Sequence, residues 1–290
     1  MFKGAGVAIV TPFKDGKFDK EAYERLIDFQ IQNGTQALIV LGTTGEASTL
    51  SYEERELVIK SAIEKNAKRI PIIVGTGSNC TDIAVKYTKQ AEELGADGIL
   101  IVTPYYNKCT NKGMIAHFTA VANATKLPVI LYNVPSRTAV NIPPDVVVAM
   151  SKVKNVIGVK EASGNISQIL EIKRLVSEDF MIYSGNDDQV IPIYACGGHG
   201  VISVASNVIP KEMQEMCEAF MSGDVAKALR LQLEYKKLID LLFSEVNPIP
   251  VKAALTEMKY IEDELRLPLT SMEENTRIKL IQEMKRLNLI

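Results

Sequence analysis

Eight short runs rich in apolar and β-branched residues, amphipathic stretches of helical length between them, and a spacing of about thirty residues from run to run together predict an α/β fold. The architecture they describe is a (β/α)8 barrel, the TIM-barrel arrangement, followed by a C-terminal helical extension. The runs cover residues 7–10, 37–41, 70–74, 98–102, 128–131, 156–159, 180–183 and 200–204. Several are apolar at consecutive positions, as parallel strands are when helices cover one face and a packed core the other. A doubly wound open sheet is the competing arrangement. The count of eight, the even spacing and the lack of a dinucleotide-binding glycine fingerprint after the first run favour the barrel.

The elements follow in order. Gly34 and Gly95 stand where helices ahead of the second and fourth strands should stop. Ser51 and Glu54 make a capping-box pattern before Leu57 and Val58. Pro210 is placed for a helix start, and Met213, Met216, Cys217 and Phe220 fall on one face of a helix over residues 210–222. Beyond residue 223 the strands end: Ala228, Leu231, Tyr235, Leu238 and Leu242 alternate steps of three and four, and Ile278, Ile281 and Met284 mark a last helix. Asn247-Pro248-Ile249-Pro250 reads as a breaker between helices. The expected organisation is a catalytic barrel over residues 1–222 and a helical region over 223–290 that packs on the barrel or on a partner subunit.

Composition narrows the function classes. A chain of 290 residues lies within the range that one barrel fills, and 47% hydrophobic with 23% charged residues is a globular profile, which excludes disordered, collagenous and coiled-coil classes. The 33 Lys and Arg against 35 Asp and Glu leave no basic excess for a nucleic acid or an anionic membrane. The N-terminal apolar run meets Pro12 too soon for a signal peptide, and no run approaches the ~18 apolar residues of a membrane span. The reading is a soluble, cytoplasmic protein. Cys80, Cys109, Cys196 and Cys217 lie far apart, with only His117 and His199 to join them, so isolated thiols and no metal site are expected.

In a barrel the active site is assembled where the strands finish. The sixth run continues into Lys160-Glu161. A lysine closing a buried strand must be solvated, paired or deprotonated. It either snorkels or pairs with Glu161, or it is a Schiff-base nucleophile, which needs the free amine that an apolar interior favours. The fifth run ends in Tyr132, which by alternation shares the inward face with Ile130 as Lys160 does with Gly158; on adjacent strands the phenol can reach the amine, although a plain core tyrosine is the alternative. Gly42-Thr43-Thr44-Gly45-Glu46 is a tight turn whose hydroxyls and N–H groups suit a small carboxylate, or an ordinary glycine turn. Arg137 either captures a substrate carboxylate or makes a surface ion pair. Tyr105 and Tyr106 follow the fourth strand as rim aromatics or interface anchors. Gly75-Thr76-Gly77 lacks the Lys-Ser/Thr pair of a phosphate loop.

Taken together, Gly42-Thr43-Thr44-Gly45-Glu46, Thr103-Pro104-Tyr105-Tyr106-Asn107, Tyr132-Asn133-Val134-Pro135-Ser136-Arg137, Gly158-Val159-Lys160-Glu161-Ala162-Ser163, Ser184-Gly185-Asn186-Asp187 and Asn247-Pro248-Ile249-Pro250-Val251-Lys252 resemble, over nearly the whole chain, the dihydrodipicolinate synthase family of the class I pyruvate-dependent aldolase superfamily. The resemblance implies a lyase of lysine and diaminopimelate biosynthesis. In it Lys160 condenses with pyruvate, and the resulting enamine attacks L-aspartate-4-semialdehyde to give 4-hydroxy-tetrahydrodipicolinate. It implies Tyr132 as proton donor and acceptor, relaying through Thr43 to Tyr106 of a neighbouring subunit. Thr44 and Ile202 would hold the pyruvate carboxylate, Arg137 the semialdehyde carboxylate, and Gly185 would line the pocket. It further implies no metal or organic cofactor, and a homo-oligomer with a dimer core, by family default a homotetramer. Sibling lyases, N-acetylneuraminate lyase and the keto-deoxy-sugar aldolases, are the alternative; a cation at Arg137 suits a second substrate with its own carboxylate.

One departure concerns regulation. In lysine-inhibited bacterial relatives, the resemblance implies, the effector pocket between paired subunits carries a histidine where this chain has Arg55 and a glutamate where it has Ile83, whereas Asn79 and Tyr105 match. Loss of an acidic partner and gain of a cation predict weak or absent inhibition by lysine.

Overall fold

The computed structural model describes residues 1–290. Eight strands, β1 (Gly4–Ala8), β2 (Ala37–Val40), β3 (Ile72–Gly75), β4 (Gly98–Val102), β5 (Val129–Asn133), β6 (Val156–Glu161), β7 (Met181–Ser184) and β8 (Gly200–Ser203), close into a barrel in sequence order. All neighbours are parallel, and β1 pairs with β8 on one side and β2 on the other. Each predicted run lies in or overlaps a strand. The first strand begins earlier than its apolar run, because Gly4, Ala5 and Gly6 pair with β8 although they carry little side chain. Gly6 leaves room for Phe2: a Cβ there would lie 2.7 Å from the Phe2 ring. That ring stacks on Tyr183 at 4.6 Å, inside the barrel.

Two apolar layers result from the alternation along each strand. Ile39, Ile73, Leu100, Ile130, Tyr132, Tyr183 and Ile202 belong to the cluster inside the barrel, while the larger cluster lies between strands and helices. The helix signals behave as their chemistry requires. Ser51 and Glu54 form both bonds of a capping box, Gly34 and Gly95 take left-handed backbone just past helices Lys20–Gln32 and Thr81–Glu93, and Pro210 opens helix Pro210–Met221.

A short hairpin, Phe13–Lys14 with Lys17–Phe18, lies outside the eight runs that the sequence marks as strands. After residue 223 come helices Val225–Leu242, Ile249–Glu257 and Glu274–Arg286, and their buried residues join the outer core of the barrel. Ile249 and Pro250, expected in a breaker, instead form the first turn of the middle helix, where proline's missing N–H costs nothing. No helix is long and apolar enough to cross a membrane.

Candidate active site

Strand register brings the two predicted groups together. Tyr132 on β5 and Lys160 on β6 are direct partners, both are buried, and Lys160 Nζ lies 4.3 Å from the centre of the Tyr132 ring. The amine thus faces the π-surface, a cation–π contact, rather than donating to the phenol oxygen. The expected alternative, an ion pair with Glu161, does not form. Glu161 points to the other face of the strand, as alternation demands, and accepts from Asn133 Nδ2 at 3.0 Å, Ser163 N–H at 2.8 Å and Gln168 Nε2 at 3.1 Å. The stem of Lys160 passes close to Gly185, where an added Cβ would stand 3.0 Å from Lys160 Cε and 2.7 Å from Ala162 Cβ. Gly185→Ala is therefore expected to displace the lysine and, with Lys160 as the Schiff-base nucleophile that the resemblance implies, to slow imine formation about tenfold; borohydride-trapping kinetics matching the unsubstituted protein would show that this gap does not place the amine.

Above these residues lies a cavity of about 340 Å3 lined by Thr43, Thr44, Tyr132, Arg137, Lys160 and Gly185, with Phe243, Glu245, Val246 and Asn247 from the C-terminal region. Thr43–Gly45 is a 3-10 turn. Gly45 and Glu46 N–H groups donate to the Gly42 and Thr43 carbonyls, leaving those of Thr43 and Thr44 without an acceptor inside the turn. Asn247 Nδ2 donates to Thr44 Oγ1 at 2.9 Å. Arg137 is exposed on the short helix Pro135–Thr138 and donates to the Asn247 carbonyl at 3.4 Å. It pairs with no carboxylate, so the surface ion pair weighed for it is not made.

Two predicted residues stand apart. Ile202 is in the apolar cluster inside the barrel but does not line the cavity. Tyr106 also does not line it; it is 91% exposed and has a left-handed φ of 70°, a strained state for a bulky residue. Its neighbour Tyr105 lines a second cavity, of about 540 Å3, with Arg55, Asn79, Ile83 and Tyr87. The Arg55 guanidinium is buried there, 3.9 Å over the Tyr87 ring and bonded to the Gly75 carbonyl at 2.8 Å. Burial pushes its pKa down to about 10, so it stays charged at neutral pH.

The C-terminal contribution to the site was not foreseen. The segment Asn247 to Lys252 reads in the sequence as a break between helices and as one of the motifs of the family resemblance, but neither reading gives Asn247 or Lys252 a place in the site. The available signal was the one that flagged Lys160: a lysine enclosed by apolar residues, here Val251, Ala253, Ala254 and Leu255. Lys252 is fully buried, and burial draws its pKa down against the opposing pull of Glu46.

The sequence matches the dihydrodipicolinate synthetase family over residues 1–287. It is 74% identical, over the full length of both chains, to a 4-hydroxy-tetrahydrodipicolinate synthase of Alkaliphilus oremlandii. It is 51% identical to one of Thermotoga neapolitana, with 95% of each chain covered. Among solved structures, dihydrodipicolinate synthase from Thermotoga maritima superposes with a TM-score of 0.98 at 47% identity, each chain being covered completely. A monomeric dihydrodipicolinate synthase variant superposes equally well, at 0.98 and 47% identity, covering 100% of this chain and 98% of its own.

Proposed function

Because the chain belongs to the dihydrodipicolinate synthetase family, we propose that the Lys160 cavity is where it joins its two substrates and that each lining residue has a part in that condensation. The reaction, shared with relatives up to 74% identical, condenses pyruvate with L-aspartate-4-semialdehyde to 4-hydroxy-tetrahydrodipicolinate in lysine and diaminopimelate biosynthesis.

Lys160 Nζ attacks the pyruvate keto carbon, and loss of water leaves an imine. Removal of a methyl proton turns this into an enamine. Its carbon attacks the aldehyde of the second substrate, whose oxygen takes up a proton. The semialdehyde's own amine then displaces Lys160 and closes the ring. Tyr132, packed against the amine, is the proton donor and acceptor, with Thr43 beside it at the mouth and Tyr106 of the partner subunit completing the relay. Thr44 holds the pyruvate carboxylate through its hydroxyl and the turn's N–H groups, with Ile202 backing it from the barrel interior. Arg137 receives the semialdehyde carboxylate. Gly185 keeps the wall thin beside the lysine. An exposed, strained Tyr106 supports a dimer as the working unit, with a tetramer built from two dimers.

The observation that carries the reading is a buried amine against a tyrosine ring, 4.3 Å from its centre, beneath a turn and an arginine suited to carboxylates. Borohydride reduction in the presence of pyruvate, with peptide mass mapping, is expected to leave a reduced pyruvyl adduct on Lys160. A folded protein with no adduct would return Lys160 to a structural role.

The second cavity bears on control. With the Arg55 cation buried in its wall and an apolar Ile83 in place of an acid, it offers a lysine ammonium repulsion and no counter-charge. Activity is expected to persist at millimolar lysine; half-loss at sub-millimolar lysine would refute this.

A further inference from the structure

Lys252 and Glu46 are far apart in sequence and meet inside the protein. Lys252 Nζ lies 2.6 Å from Glu46 Oε1, with the two side chains 0% and 1% exposed. The ammonium also sits 4.4 Å over the Phe13 ring. The other carboxylate oxygen, Oε2, accepts from the Arg266 backbone N–H at 3.1 Å. Neither residue lines the Lys160 cavity, and the chemistry described above uses neither. A buried ion pair adds little net stability, since desolvation cancels much of its attraction, so folding energy alone is a weak account of it.

The position of the pair supplies a better one. Glu46 ends the Thr43–Gly45 turn with a left-handed φ of 52°, a state that a residue with a side chain keeps only when its surroundings hold it. Lys252 belongs to helix Ile249–Glu257, which starts just after Asn247, and Asn247 donates to Thr44 Oγ1. The turn is thus fastened twice to one segment, at Thr44 through Asn247 and at Glu46 through Lys252. Because Thr44 Oγ1 already accepts a hydrogen bond, its own single hydrogen is left for a ligand.

We propose that Glu46 and Lys252 are positioning residues of the condensation: their ion pair fixes the residue that closes the 43–45 turn, and with it the direction in which Thr43 and Thr44 present donors to the keto acid's carboxylate. This rests on the placing of that carboxylate at the turn.

The test compares Glu46→Gln, Lys252→Met and the double variant by thermal midpoint, by kcat and KM for each substrate, and by borohydride trapping. Each single variant strands a buried charge and should melt lower, whereas the double variant removes both charges and should recover. With its midpoint recovered, the double variant is expected to show a KM for pyruvate raised about tenfold and a KM for the semialdehyde changed by less than about twofold. A purely structural pair would leave the pyruvate KM of the recovered variant unchanged, and that result overturns the proposal. A double variant that does not fold also overturns it, because the pair then holds the barrel rather than the turn. Absence of trapping at Lys160 in the unsubstituted protein would instead remove the reading beneath the proposal, a failure that the variant kinetics cannot mimic.

Discussion

Lys160→Met is expected to keep the fold, abolish borohydride trapping of pyruvate and lower kcat by at least about 10,000-fold. Methionine matches the length of the lysine stem and suits a pocket already formed by the Tyr132 ring, Ala162 and Gly185, so the barrel should lose little stability. The nucleophilic nitrogen is lost, and no other amine is placed to replace it: Lys252, the other buried lysine, is tied to Glu46. Trapping with peptide mapping, circular dichroism and turnover measured on one preparation separate the outcomes. A folded Lys160→Met protein that still turns over at a tenth of the normal rate would mean that the reaction does not pass through this imine.

Tyr106→Phe is expected to lower kcat about 100-fold while leaving pyruvate trapping at Lys160 intact, because it removes the hydroxyl proposed to complete the proton relay and not the proposed nucleophile. A sharper result comes from combining chains. Mixed after dissociation and reassembly, Lys160→Met and Tyr106→Phe chains are expected, on the proposed dimer, to form pairs in which one site has an intact Lys160 and receives Tyr106 from the partner subunit. Random pairing puts one such site in half of the dimers, so the mixture should regain about a quarter of normal activity although each variant alone is nearly inactive. Activity no higher than the sum of the two variants would place the whole relay within one chain. The exposure of Tyr106 and its strained backbone favour the regained activity.

Much of the fold was legible because strand and helix signals are local. Apolar β-branched runs with a regular spacing marked all eight strands, and Ser51, Pro210, Gly34 and Gly95 act on the few residues beside them. The strand ends were less legible. Gly4 to Gly6 carry little side chain and so only a weak apolar signal, and their extended pairing with β8 is imposed by barrel closure. The candidate site divides in the same way. Tyr132 and Lys160 could be matched from sequence because alternation fixes which face each takes and consecutive barrel strands are neighbours. Arg137 and the Thr43–Thr44 turn followed from their place after strands.

The sequence by itself determined the barrel, the inward lysine and tyrosine, and the placing of the threonine turn and Arg137 after strand ends, since period-two alternation and turn composition act over a few residues. Only the tertiary structure decided that Lys160 lies over the Tyr132 ring while Glu161 bonds elsewhere, that Tyr106 stands out of the cavity, and that Asn247 and Lys252 fasten the turn at Thr44 and Glu46. The two fastenings, Asn247 to Thr44 and Lys252 to Glu46, join segments some two hundred residues apart, and no local periodicity specifies them; they arise when the C-terminal helices bury their apolar faces on the closed barrel and carry polar side chains to its mouth.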